Sequence, residues 1–141
     1  MSSRANKLQP AVEQARQRSE DALAKLATQQ QVLARAEHQL AELRRYRQEY
    51  ASTGTAALSV TALLNRQTFI ERIDQAIVQQ TAEIARQTRQ LDHVRDQWKQ
   101  THARESALGS VVAQHREHER RAEDRQEQAD ADERMQYRRP R

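Results

Sequence analysis

Apolar side chains recur every seven residues along two stretches of the chain, and this spacing constrains the fold more than any other feature. A seven-residue apolar repeat is the pattern of helices that wind around each other in a left-handed coiled coil. The clearer stretch contains Leu63, Ile70, Ile77, Ile84, Leu91 and Trp98. The first stretch covers residues 8–50 and includes Leu26, Leu33, Leu40 and Leu43. The chain is therefore predicted to be all-α.

A short segment between the two stretches breaks the repeat. Residues 52–59 read STGTAALS and contain Gly54, one of two glycines in the chain. Gly54 suits the left-handed position that follows a helix, and Ser59 or Thr61 can cap the start of the next helix. A short connection makes successive helices antiparallel neighbours. We therefore predict an antiparallel two-helix coiled-coil hairpin, with helix one at about 5–53, the turn at about 54–59 and helix two at about 60–135, as a single unit.

The seam is the line of side chains along which the two helices meet. It is predicted to contain Leu26, Leu33, Leu40, Leu43, Ile70, Ile77, Ile84, Leu91 and Trp98. If the turn is centred near residues 56 and 57, Ala36 faces Ile77 and Ala22 faces Leu91, so small side chains meet large ones. A slip by one heptad also leaves a good seam, so the register stays open. Gln29, Gln80 and Gln87 also fall on the seam, and polar residues at such positions often fix the register of a coiled coil.

Composition supports long helices over a compact core. The 141 residues are 36% hydrophobic and 31% charged, with only two Gly, two Pro and no Cys. Disordered chains of similar polarity are usually rich in Pro and Gly. Basic and acidic residues are interspersed at a net charge of +4, which does not indicate a nucleic-acid partner. Apolar runs are short and the N-terminus lacks a secretory segment, so a cytoplasmic protein without direct membrane insertion is expected.

Helix two is predicted to be longer than helix one. Helix one has no residues left to pair with it beyond about residue 105, and apolar residues become rare after Val111 and Val112. Residues 113–141 are therefore predicted to form a polar, unpaired extension that is frayed or partner-dependent. Pairs such as Glu117 with Arg121 favour a helix there without anchoring it.

No motif for catalysis is present in the sequence. It contains no phosphate-binding GxxxxGK[ST] and no HExxH, and a two-helix seam offers no pocket that excludes water. His115 and His118 have a metal-compatible spacing but no second ligand pair beside them. We expect a protein without catalytic residues, cofactor or metal.

Several residues around the turn resemble the flagellar FliJ family. The family's first helix ends in a Tyr-x-x-Glu-Tyr pattern, which is matched here by Tyr46, Glu49 and Tyr50. The start of its second helix is matched by Gln67, Phe69, Ile73, Ala76, Ile77 and Gln80, and its later Trp by Trp98. Arg66 departs from the pattern, because an aromatic residue is expected at that site.

This resemblance implies a component of the flagellar type III protein export apparatus, similar to the gamma stalk subunit of rotary ATPases. It implies a non-enzymatic protein that binds the hexameric export ATPase and the cytoplasmic domain of the export-gate membrane protein, with substrate chaperones as further candidate partners. The open end of the hairpin would enter the ATPase ring and the turn end would face the gate. The protein would then lie peripherally at the cytoplasmic face of the inner membrane.

The resemblance also implies a partner-binding face for the export gate. It consists of Phe69, Ile73, Ala76 and Gln80. Their spacing puts them on one face of helix two, but Ile73 and Gln80 also fit the seam. Recognition surface and coiled-coil core are therefore both open at these positions. Two alternative functions also stay open: a related stalk in a virulence injectisome, and a self-associating structural scaffold.

Overall fold

The chain folds into two long α-helices joined as a helical hairpin. The structure is a computed structural model, and it describes residues 3–52, 54 and 58–138. Helix α1 is Arg4–Ser52 and helix α2 is Val60–Arg138. No β-strand occurs in these described ranges. The predicted all-α helical hairpin is confirmed.

A serine caps the first turn of each helix. The Ser3 hydroxyl accepts a hydrogen bond from the backbone N–H of Asn6 at 3.0 Å, and the Ser59 hydroxyl accepts one from Ala62 at 3.2 Å. Each bond satisfies a backbone donor that has no partner within the helix. Of the two predicted caps for helix two, Ser59 is therefore the one that is used.

Helix α1 ends at Ser52, close to the predicted end at about residue 53. Gly54 lies just beyond it, and because its neighbours on both sides lie outside the described residues, its left-handed conformation stays a prediction. The middle of the predicted turn, residues 55–57, lies outside the described residues.

Ala22–Trp98 form one of the two compact units of the chain, and its seam is packed with apolar side chains. Leu26, Leu91 and Val94 form its buried cluster, and Leu33 and Trp98 pack against them. Of the other predicted seam residues, Leu40 is buried, and the half-buried ones are Leu43, Ile70, Ile77 and Ile84. Leu63, which continues the same sequence ladder, is exposed instead.

The helix register in this unit differs from the one in which Ala36 faces Ile77. The side-chain amide of Gln80 donates to the backbone carbonyl of Ala36 at 2.9 Å. Gln80 therefore lies against Ala36, where the other register would place Ile77. Gln29 donates to the side-chain oxygen of Gln87 at 2.7 Å. A half-buried amide without a partner costs free energy, so pairing the seam glutamines favours the observed register over one chosen by apolar size alone.

The second compact unit combines the residues before Ala22 with those after Trp98. Its buried side chains are Ala5, Ala15, Ser19 and Val112. The guanidinium of Arg116 lies 3.4 Å from the side-chain oxygen of Gln9. Residues 4–8 are the only part of α1 before Gln9, whereas α2 continues well beyond Arg116 to Arg138.

Gly109 lies inside α2 rather than at a break in it. An added methyl group would meet nothing within 4 Å. We expect Gly109→Ala to raise the free energy of unfolding by about 0.5–1 kcal/mol, because alanine restricts the unfolded chain and suits a helix. Denaturant titration measures the change. Unchanged or reduced stability would contradict a continuous helix at this position, and Gly54→Ala, outside both helices, is the control.

Candidate functional site

Exposed apolar side chains concentrate where α1 ends and α2 begins. We call this set the turn-end surface, and it consists of Tyr46, Tyr50, Leu58, Val60, Leu63, Leu64 and Phe69. Val60 is 75% exposed and Leu64 is 63% exposed. Single exposed apolar residues are common on proteins, but a contiguous group of them is typical of an interaction site.

Two aromatic rings within the turn-end surface contact each other. The ring centroids of Tyr50 and Phe69 are 4.5 Å apart and the planes are inclined by 36°. This distance lies in the favourable range for aromatic pairs. Tyr50 comes from the last turns of α1 and Phe69 from the start of α2, so the pair joins the two helices beside the turn.

Two arginines also connect the helices beside this aromatic pair. Arg47 on α1 forms a two-point ion pair with the carboxylate of Asp74 on α2, with one of the contacts at 3.4 Å. The hydrogen bond that Arg47 donates to this carboxylate, followed by the carboxylate's charge, raises the pKa of Arg47. Arg66 on α2 donates through Nη2 to the backbone carbonyl of Tyr50. Its Nη1 is buried and has no hydrogen-bond partner among the described residues.

The four residues predicted to face the gate are divided between surface and seam. Phe69 is 43% exposed, whereas Ile73 is only 7% exposed. Ala76 and Gln80 are half-buried, and the Gln80 amide is hydrogen-bonded to Ala36 and Gln39 of α1. Within the hairpin, Phe69 is thus the member of the set most open to a partner, while Ile73 and Gln80 contribute to the seam.

A second exposed surface is the C-terminal extension, which we define as residues 120–138 of α2. Every residue in it is exposed except Asp130, which is half-buried. At its start, Glu117 contacts Arg120 at 2.8 Å and Arg121 at 3.2 Å. The hydrogen bond from Arg120 is the main cause of the lowered pKa of Glu117. Ion pairs three and four residues apart stabilise the helix here in place of packing.

Comparison with known protein families decides what kind of hairpin this is. The model of the flagellar FliJ proteins matches residues 4–141. The chain belongs to the flagellar FliJ family. Among curated proteins and among solved structures, no match to the chain was found.

Membership of the FliJ family makes the chain a component of the flagellar export apparatus. The family is a structural one and is not known as an enzyme. In the described part of this FliJ chain, no helix is long and apolar enough to cross a membrane. The same residues contain no group of three or more His, Cys, Asp or Glu that could hold a metal ion.

Three features in or beside the turn-end surface were not predicted from the sequence. Leu64 and Val60 lie off the seven-residue ladder, and apolar residues outside a seam are the signal that could have identified them. The ion pair between Arg47 and Asp74 has no local sequence signal, because its partners are far apart in the chain. The same is true of the contact between Arg66 and the end of α1.

Proposed function

We propose that this FliJ-family chain is the stalk of the flagellar export apparatus, a non-enzymatic component that couples an ATPase ring to the export gate. In this proposal the C-terminal extension binds the hexameric export ATPase and the turn-end surface binds the cytoplasmic domain of the gate protein. Substrate chaperones are further partners. The protein then works in the cytoplasm, at the inner face of the membrane, through these contacts.

The observation that carries the proposal is the C-terminal extension itself. It continues α2 as a helix to Arg138, with its surface exposed and with no stretch of α1 beside it. The extension is already helical, so binding a partner does not have to supply most of the entropy cost of ordering it. Such a helix suits insertion into a surrounding ring.

Coupling requires that the stalk contact the subunits of the ring unequally. A single asymmetric helix can contact only some subunits at a time. Differences in contact free energy then shift those subunits among their nucleotide states, which is the general requirement for coupling between sites. The chain supplies the contacts in this scheme, and the ATPase carries out the hydrolysis.

The charges of the C-terminal part of α2 argue against pairing with a second copy of the chain. Glu119, Glu123, Glu127 and Asp130 follow Val112 at spacings that keep them on one helix face. Val112 is buried, so this face is the continuation of the seam. Two copies joined through it would bring carboxylates together, which destabilises a coiled coil. This favours the stalk over a self-associating scaffold.

The proposed gate contact centres on Phe69. Its ring is partly exposed and is held against Tyr50, so little side-chain freedom is lost when a partner covers it. Aromatic residues of this kind dominate the binding energy of many interfaces. The neighbouring Leu63, Leu64 and Val60 add apolar area around the ring.

Phe69→Ala should weaken binding to the purified cytoplasmic domain of the gate protein by roughly tenfold or more, as expected for loss of an interface aromatic. Titration calorimetry or surface-based binding measures the dissociation constant. Val78→Ala is the matched control, since Val78 is 69% exposed on the same helix but is not part of the turn-end surface. Equal affinities for wild type and Phe69→Ala would contradict the proposed gate site.

A further inference from the structure

The C-terminus of α1 has no basic residue in its last turn. The last carbonyl groups of a helix have no partner within the helix and carry the negative end of its dipole. Water or side chains from outside the last turn satisfy these carbonyls instead.

Two side chains act at this end, and they differ in origin. The Ser52 hydroxyl donates to the carbonyl of Glu49 at 3.2 Å, which is a local contact within α1. The Arg66 guanidinium donates to the carbonyl of Tyr50 and comes from α2, on the other side of the turn. Arg66 thus caps α1 from outside and places a positive charge at the negative end of its dipole.

The cap by Arg66 comes with a local cost. Among the described residues, its buried Nη1 has no hydrogen-bond partner, although a buried charged group normally has its donors satisfied. Tyr50, whose carbonyl receives the bond, also carries the ring that packs on Phe69.

We propose that Arg66 is a positioning residue for the turn-end surface. By fixing the backbone at Tyr50, Arg66 holds the Tyr50 ring against Phe69 and so sets the orientation in which Phe69 is presented to a partner. This inference rests on the proposed binding of the gate by Phe69, and it adds a residue that does not itself need to touch the gate.

The test compares Arg66→Met with Ser52→Ala in the full-length chain. Arg66→Met keeps much of the side-chain stem but removes the donors, whereas Ser52→Ala removes a hydrogen bond at the same helix end without separating the helices. The chain has a single Phe, so contacts of the Phe69 ring can be followed by NMR without ambiguity. Affinity for the cytoplasmic domain of the gate protein is measured in parallel, and circular dichroism checks that helicity is retained.

We expect Arg66→Met to lose the NMR contact between the Tyr50 and Phe69 rings and to bind the gate domain about tenfold more weakly, the size of effect typical for a lost charged hydrogen bond. Arg66→Lys should retain part of the ring contact and part of the affinity for the gate domain. Ser52→Ala should retain both in full. If Arg66→Met binds normally while Phe69→Ala binds weakly, the role of Arg66 is refuted and the gate site stands. If Phe69→Ala also binds normally, the gate site fails, and the inference for Arg66 fails with it.

Discussion

Leu91→Ala should lower the free energy of unfolding by about 2–3 kcal/mol, the lower part of the range for a buried leucine. Leu91 is 8% exposed and lies in the buried cluster with Leu26 and Val94. Removing its side chain leaves a cavity between two helices that have few other buried residues to offset the loss. Trp98 is the only tryptophan and packs against this cluster, so its fluorescence during denaturant unfolding reports the change.

Leu23→Ala is the matched control for this measurement. Leu23 is also a helical leucine, but it is half exposed, and we expect its replacement to change the free energy of unfolding by no more than about 0.5 kcal/mol. Similar losses for the two variants would contradict a seam built around Leu26, Leu91 and Val94.

Removal of residues 120–141 should abolish the ability of the chain to stimulate the export ATPase. In the proposed mechanism these residues make the contacts with the ring, and residues 120–138 are all exposed except Asp130. The hydrolysis rate of the purified ATPase, with and without the shortened chain, is the measurement. A shortened chain that stimulates hydrolysis as well as the full-length one would contradict a role for the extension.

Two controls show whether the shortened chain is otherwise intact. Its unfolding followed by Trp98 should match that of the full-length chain, because the seam cluster of Leu26, Leu91 and Val94 contains no residue of the extension. Phe69→Ala in the full-length chain should stimulate the ATPase normally, since the proposed gate contact is separate from the ring contact. Loss of stimulation in both variants would contradict this division of roles.

The helices and the seam follow from the sequence because a seven-residue repeat has a direct structural meaning. Leu26, Leu40 and Leu91 are buried as that repeat predicts, and Ser59 caps α2 as its position suggests. The register was harder to predict, because apolar size alone allows more than one alignment. The hydrogen bonds of Gln29 and Gln80 distinguish the alignments. The partners of these glutamines can be found only once the register is known, so the sequence alone does not reveal them.

The candidate site was only partly predictable from the sequence. Phe69 and Tyr50 were both identified from the family resemblance, and their rings pack together beside the turn. The exposure of Leu63 was not expected, because its position continues the seam ladder by sequence. The cap by Arg66 joins groups on different helices, and no local pattern encodes such a contact.

The stalk proposal is tested most directly by titrating the full-length chain into the purified export ATPase at ratios below one chain per hexamer. We expect the hydrolysis rate to rise and to reach its maximum near one chain per ring, since a central stalk serves all subunits of one hexamer. A hydrolysis rate that stays unchanged at every ratio would contradict the account.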